Sequence, residues 1–127
     1  PMNLRKALLF LTLFIIFQRA FSQDLLPRVH KGVINLREWD FAEKGPLSLE
    51  GDWRFYWKQL AGPLETATLN PSYFHFPSVW NGQQAGNNPL SGQGYATYSA
   101  TVVLSHAPPV LSLELPDFYT SYQLWVN

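Results

Sequence analysis

Apolar and polar positions alternate with period two through much of this chain. The clearest stretch runs from residue 47 to 57: Leu47, Leu49, Gly51, Trp53, Phe55 and Trp57 share one parity, and Ser48, Glu50, Asp52 and Arg54 the other. Such alternation predicts a strand with one buried and one wetted face. A helix would set Trp53 and Phe55 about 200° apart and waste the pattern. Gly51 inside the run predicts a bulge or a close backbone approach.

Further strands are predicted on either side. Gly32–Leu36 is a short apolar candidate, followed by a turn at Glu43–Pro46. Lys58–Pro71 is polar and broken by proline, which predicts an irregular excursion with a short helical turn. Tyr73–Pro77 is a brief strand. Ser78–Gly94 is a long loop with four glycines and many amides. Tyr95–Leu104 alternates as one strand, with Ala96, Tyr98, Ala100, Val102 and Leu104 on one parity. After a turn at Ala107–Pro109, Val110–Leu115 and Ser121–Val126 alternate again. Five or six strands at spacings near ten residues, with no long helix, predict an all-β sandwich or barrel. The last strand runs to Asn127, so the expectation is a C-terminally truncated sandwich with an exposed edge.

The N-terminus follows a different rule. Arg5 and Lys6 precede an apolar run from Ala7 to Phe17, and Ala20-Phe21-Ser22 places small residues before a cut at Gln23. This order predicts a signal peptide over 1–22 and export of the remainder. Eleven apolar helical residues span roughly 17 Å, short of a bilayer core of about 30 Å. Residues 23–31, with Pro27, read as a leader, and 32–127 as the partial domain.

Composition narrows the function. The 127 residues are 46% hydrophobic and 14% charged, too apolar for a disordered chain. Net charge is zero, and beyond residue 22 six basic residues face nine acidic ones. No basic patch argues for nucleic acid as a partner. With no cysteine, an exported fold of this kind rests on its apolar core.

Catalytic signatures are missing. His30, His75 and His106 lack metal-ligand spacing, no nucleophile elbow occurs, and Gly92-Gln93-Gly94 lacks the third glycine of a phosphate cradle. No metal or cofactor is expected. Glu50 and Asp52, about 7 Å apart on one strand face, have the spacing of a glycosidase pair but read better as two solvated charges. Sugar-binding sandwiches stack a sugar ring on Trp or Tyr and fix its hydroxyls with amides. Trp80, Asn81, Gln83, Gln84 and Tyr95, in or beside the long loop, are therefore the candidate ligand-binding residues. The alternative is that Trp80 only plugs the end of the sandwich. Trp53, Phe55, Trp57 and Tyr98 read as core, while Trp39 and Trp125 fit neither pattern.

Four stretches carry a resemblance. They are Leu47-Ser48-Leu49-Glu50-Gly51-Asp52-Trp53-Arg54-Phe55-Tyr56-Trp57, Phe76-Pro77-Ser78-Val79-Trp80-Asn81, Gly94-Tyr95-Ala96-Thr97-Tyr98 and Ser121-Tyr122-Gln123-Leu124-Trp125-Val126-Asn127. In this order they resemble the extracellular sensing domain of bacterial seven-transmembrane receptors with diverse intracellular signalling modules. The resemblance covers roughly residues 32 to 127 and implies a galactose-binding-like jelly-roll sandwich. It also implies a non-catalytic domain that senses a small-molecule or carbohydrate ligand at the periplasmic or extracellular face of the inner membrane. Its partners would be downstream transmembrane and cytoplasmic signalling domains of the same protein. The same order resembles, more loosely, the N-terminal jelly-roll domain of secreted β-galactosidase-like and β-glucuronidase-like glycoside hydrolases. A free-standing carbohydrate-binding protein is a third expectation.

Overall fold

A computed structural model describes residues 26–105, 110–118 and 120–127. The predicted signal peptide, the start of the leader, the Ala107–Pro109 turn and His106 lie outside the described residues. The described residues are rich in sheet, with two single-turn helices among them.

The central strand is β2, Gly51–Trp57. It pairs antiparallel on one side with β3, Ser72–Phe76, so that Trp53 faces Phe74 and Asp52 faces His75. On the other side it pairs antiparallel with β6, Ala96–Ser99, so that Phe55 faces Tyr98. The predicted alternation therefore sets one face of this three-stranded sheet, and Phe55 on it is 1% exposed. Burying that ring contributes about 1.5–3 kcal/mol. The strand begins at Gly51, four residues later than the alternation, because Leu47 and Leu49 pack as a coil against a second apolar cluster.

The expected single strand over 95–104 is two strands. After β6 the chain leaves β2 at Ala100 and continues as β7, Thr101–Val103, which runs parallel to β1, Val33–Asn35. Residues 29–32 fill the gap where β6 and β2 diverge. Val29 forms a parallel bridge with Gly51, and the Gly32 N–H donates to the Asp52 carbonyl at 2.8 Å. Arg54 pins this fork, its Nη1 donating to the Gly32 carbonyl at 2.9 Å and to Thr101 Oγ1 at 3.2 Å. The leader expected over 23–31 thus joins the fold by Val29, a core residue. Alternation alone does not reveal this, since a two-residue bridge has no period.

Gly51 shows the predicted close approach. Its φ is +136°, and a Cβ there would collide with the Val29 carbonyl oxygen. Between β1 and β2, Asp40 caps α1, Phe41–Lys44, accepting from the Ala42 N–H at 2.8 Å and the Glu43 N–H at 3.2 Å. Trp39 Nε1 donates to the Gly45 carbonyl at 3.2 Å, which ties the turn to the second cluster.

The excursion over 58–71 contains the expected helical turn, α2, Pro63–Thr66. It covers Tyr56, whose hydroxyl donates to the Thr66 carbonyl at 3.2 Å. Tyr56 is buried although its parity is that of the wet face. Covering by a distant loop is a tertiary effect that strand periodicity does not encode.

The expected loop over 78–94 holds a hairpin, β4 Gln84–Ala85 against β5 Asn88–Pro89. Gly86, first of the two turn residues, has φ +60°, the sign a tight hairpin requires there. The Gly86-Asn87 pair is a hairpin signal in its own right. The hairpin lowers Ala85 and Leu90 onto Phe55 and Phe74, and these four are the buried core of the first cluster.

Val110–Leu115 and Ser121–Val126 are not strands here. Both lack a ladder among the described residues, and Leu113 and Leu124 are about half exposed. Alternation states which residues share a face; a strand also needs a neighbour to take its backbone hydrogen bonds.

Candidate functional site

The first cluster ends in an aromatic surface. Phe55 carries Tyr98 at 4.9 Å, Phe74 at 5.1 Å and Trp57 at 6.0 Å between ring centroids. Trp80, from the loop after β3, lies over this group, edge-on to Trp57 at 5.2 Å and parallel to Tyr98 within 9° at 6.4 Å. Each such pair is worth about 0.5–1.5 kcal/mol beyond the area it buries. Trp57, Trp80 and Tyr98 are only half-buried. Together they present a partly solvated aromatic platform on a buried base.

The loop is braced so that Trp80 holds this place. The Gln83 N–H donates to the Trp80 carbonyl at 3.0 Å, closing a turn. The Leu90 N–H donates to the Gln83 carbonyl at 2.8 Å, and the Gly82 N–H to the Leu90 carbonyl at 3.3 Å, extending the hairpin towards Trp80. The Gln83 side chain donates to the Val79 carbonyl. Gly94 lies directly on the Trp57 indole, where a Cβ would come within 2.8 Å of Cζ2.

The five expected ligand residues are distributed unevenly over this frame. Trp80 is in the platform. Asn81 is exposed beside it, with its amide carbon packed on Gly92. Gln83 is engaged as a brace. Gln84 is exposed on β4. Tyr95 is about half exposed, and its carbonyl accepts from the Lys58 N–H at 2.8 Å. Gly94, Ala96 and Tyr98 share the parity that meets Trp57 and Phe55, so Tyr95 falls on the other side with Thr97. Thr97 Oγ1 there donates to the Gln59 carbonyl at 2.8 Å. On β4 Ala85 turns in to the core and Gln84 is exposed on the other side, so the structure keeps Trp80 with its neighbour Asn81 and separates Gln84 and Tyr95 from them.

Two platform residues, Trp57 and Tyr98, read as core in the sequence. Trp57 differs from Phe55 in being the last residue of β2, but Tyr98, paired with Phe55 itself, carries no such signal. Burial pushes the Tyr98 phenol up to about 12, so its hydroxyl is a neutral donor at any ordinary pH.

No protein-family model, curated protein or solved structure matches the chain.

Chemistry elsewhere does not converge. Glu50 pairs with Arg28 at 3.1 Å, and Asp52 faces His75 Nδ1 at 3.6 Å, so the two acids have separate partners. Among the described residues no three His, Asp or Glu side chains gather as a metal site would require. A shallow, open groove of about 330 Å³ lies at α1, lined by Arg37, Trp39, Phe41 and Ser105 among others. The Asp40 carboxylate in its wall is committed to capping the helix. No helix among the described residues is long and apolar enough to cross a membrane.

Proposed function

We propose that this chain is a non-catalytic carbohydrate-binding module that acts as the exported sensing domain of a membrane signalling receptor. The observation that carries the binding reading is the half-solvated Trp57–Trp80–Tyr98 platform with the exposed amide of Asn81 next to Trp80. A pyranose presents an apolar C–H face that stacks on such rings, while its hydroxyls bond to amides. The resemblance of four ordered stretches to receptor sensing domains supports the receptor role and the jelly-roll sandwich. Occupancy would act by favouring one of two receptor states, to the extent that the ligand binds them differently.

Calorimetric titration of the full chain with oligosaccharides tests the binding reading. Binding that is lost in Trp80→Ala and weakened in Asn81→Ala is expected, with the circular dichroism of both variants unchanged. Undiminished binding in both, or turnover of a glycoside by the isolated chain, removes the reading. Export is tested separately by fusing residues 1–31 to a reporter active only outside the cytoplasm. Activity with cleavage before Gln23 is expected.

A further inference from the structure

We infer that the ligand of the Trp57–Trp80–Tyr98 platform is a glycan without acidic groups, held without any ion pair. The inference rests on the binding reading above and narrows its ligand class.

Between Glu65 and Glu114 the sequence contains no Asp, Glu, Lys or Arg. This stretch supplies Trp80 and Tyr98, the hairpin over the core and the whole loop around the platform. Its polar groups are amides and hydroxyls instead. Asn81, Gln84, Asn87 and Asn88 are exposed there, and each amide both donates and accepts. That is the dual character a sugar hydroxyl needs from its partner.

Charges on the neighbouring strand are turned away or committed. Asp52 and Arg54 belong to the opposite face of β2 from Trp53, Phe55 and Trp57. Arg54 is held by Gly32 and Thr101, and Asp52 faces His75. Lys58 is the exception in sequence, one residue past Trp57, and it is exposed.

A carboxylate or sulfate brought onto the platform would lose water, meet the negative faces of the rings and gain no opposite charge. Desolvating an unpaired ion costs far more than desolvating a hydroxyl that finds an amide. The platform therefore selects against acidic sugars. With no ion pair formed, affinity should also be nearly independent of ionic strength.

The test uses the full chain, a panel of neutral oligosaccharides of glucose, galactose, mannose and xylose, and the corresponding uronic-acid oligomers. Titrations run at about 50 mM and about 500 mM salt, where screening lengths differ severalfold. The expected result is Trp80-dependent binding of a neutral member, at least about tenfold tighter than its uronic counterpart. It should change less than about twofold with salt and be unaffected by Lys58→Gln. Equal or tighter binding of an acidic member, most tellingly if it is lost in Lys58→Gln, overturns the inference and leaves the binding reading standing. Failure of every member to bind in a Trp80-dependent way removes the reading and the inference together.

Discussion

Gly94 sits flat against the indole of Trp57, its hydrogen occupying the space where any other residue would place a carbon. The contact joins the approach to β6 to the end of β2, and it fixes the tilt of the ring that Trp80 meets edge-on. Gly94→Ala should force one of the two apart and cost about 1–3 kcal/mol. Urea denaturation measures this. In a Trp57→Ala background the same change should cost much less, and a coupling near zero in that cycle would show that the backbone, not the ring, sets the restraint.

Gly51 and Gly45 both have φ between +20° and +160°, but their surroundings differ. A Cβ at Gly51 meets the Val29 carbonyl, whereas at Gly45 nothing lies within 4 Å. Gly45→Ala should cost about 1–3 kcal/mol, the strain of a φ +78°, ψ −163° backbone open essentially to glycine alone. Gly51→Ala should exceed about 3 kcal/mol, since a backbone oxygen cannot move aside without breaking the bridge. Equal midpoints for the two variants in urea would refute the bridge at Val29.

Ala85 is fully buried under the hairpin. Ala85→Leu should overpack the space above Phe55 and Phe74 and cost about 1–3 kcal/mol. If the hairpin instead lifts away, Trp80 fluorescence should shift to longer wavelength while the far-ultraviolet dichroism is preserved.

Tyr98 gives the fold an alkaline limit. Its phenol ionises at about 12 in the folded chain against 10.0 in the unfolded one. Below pH 10 both states keep the proton and the group adds no pH dependence. Between pH 10 and about 12 the unfolded chain loses the proton and the folded chain does not, so stability falls as pH rises. Burial pushes Tyr56 in the same direction, against the opposing charge of Arg54. Urea midpoints measured from pH 9 to 12 should decline, and the decline should be shallower in Tyr98→Phe.

The parity of β2 was legible in the sequence because one strand with one buried face produces a strict alternation, and Gly51 keeps that parity without a side chain where Val29 approaches. The platform was half legible. Trp80 stood out as an aromatic in an amide-rich loop, but Trp57 and Tyr98 carry the same alternation as Phe55 and differ only in what covers them. Tyr95 was grouped with Trp80 by nearness in sequence, yet one residue along a strand is a change of side. The split of 95–104 at Ala100 and the burial of Tyr56 depend on which segments arrive from elsewhere, information that no local period holds. The hairpin at Gly86-Asn87 was legible and was read as loop, because its strands are only two residues each. Val110–Leu115 and Ser121–Val126 show the converse: alternation without a ladder.

The parallel register of Val33 with Thr101 also governs the order in which this protein takes shape. The first described strand has its partner near the far end of the described fold, so β1 cannot dock while synthesis is still in the region of the hairpin. Until Thr101–Val103 emerge, Ile34 and Leu36 have no ladder to hold them in the second cluster. Pairings this distant in sequence form slowly because loop closure precedes any gain from the contact. The nascent chain therefore carries this apolar segment, ready for a holding chaperone, until residues 101–103 emerge.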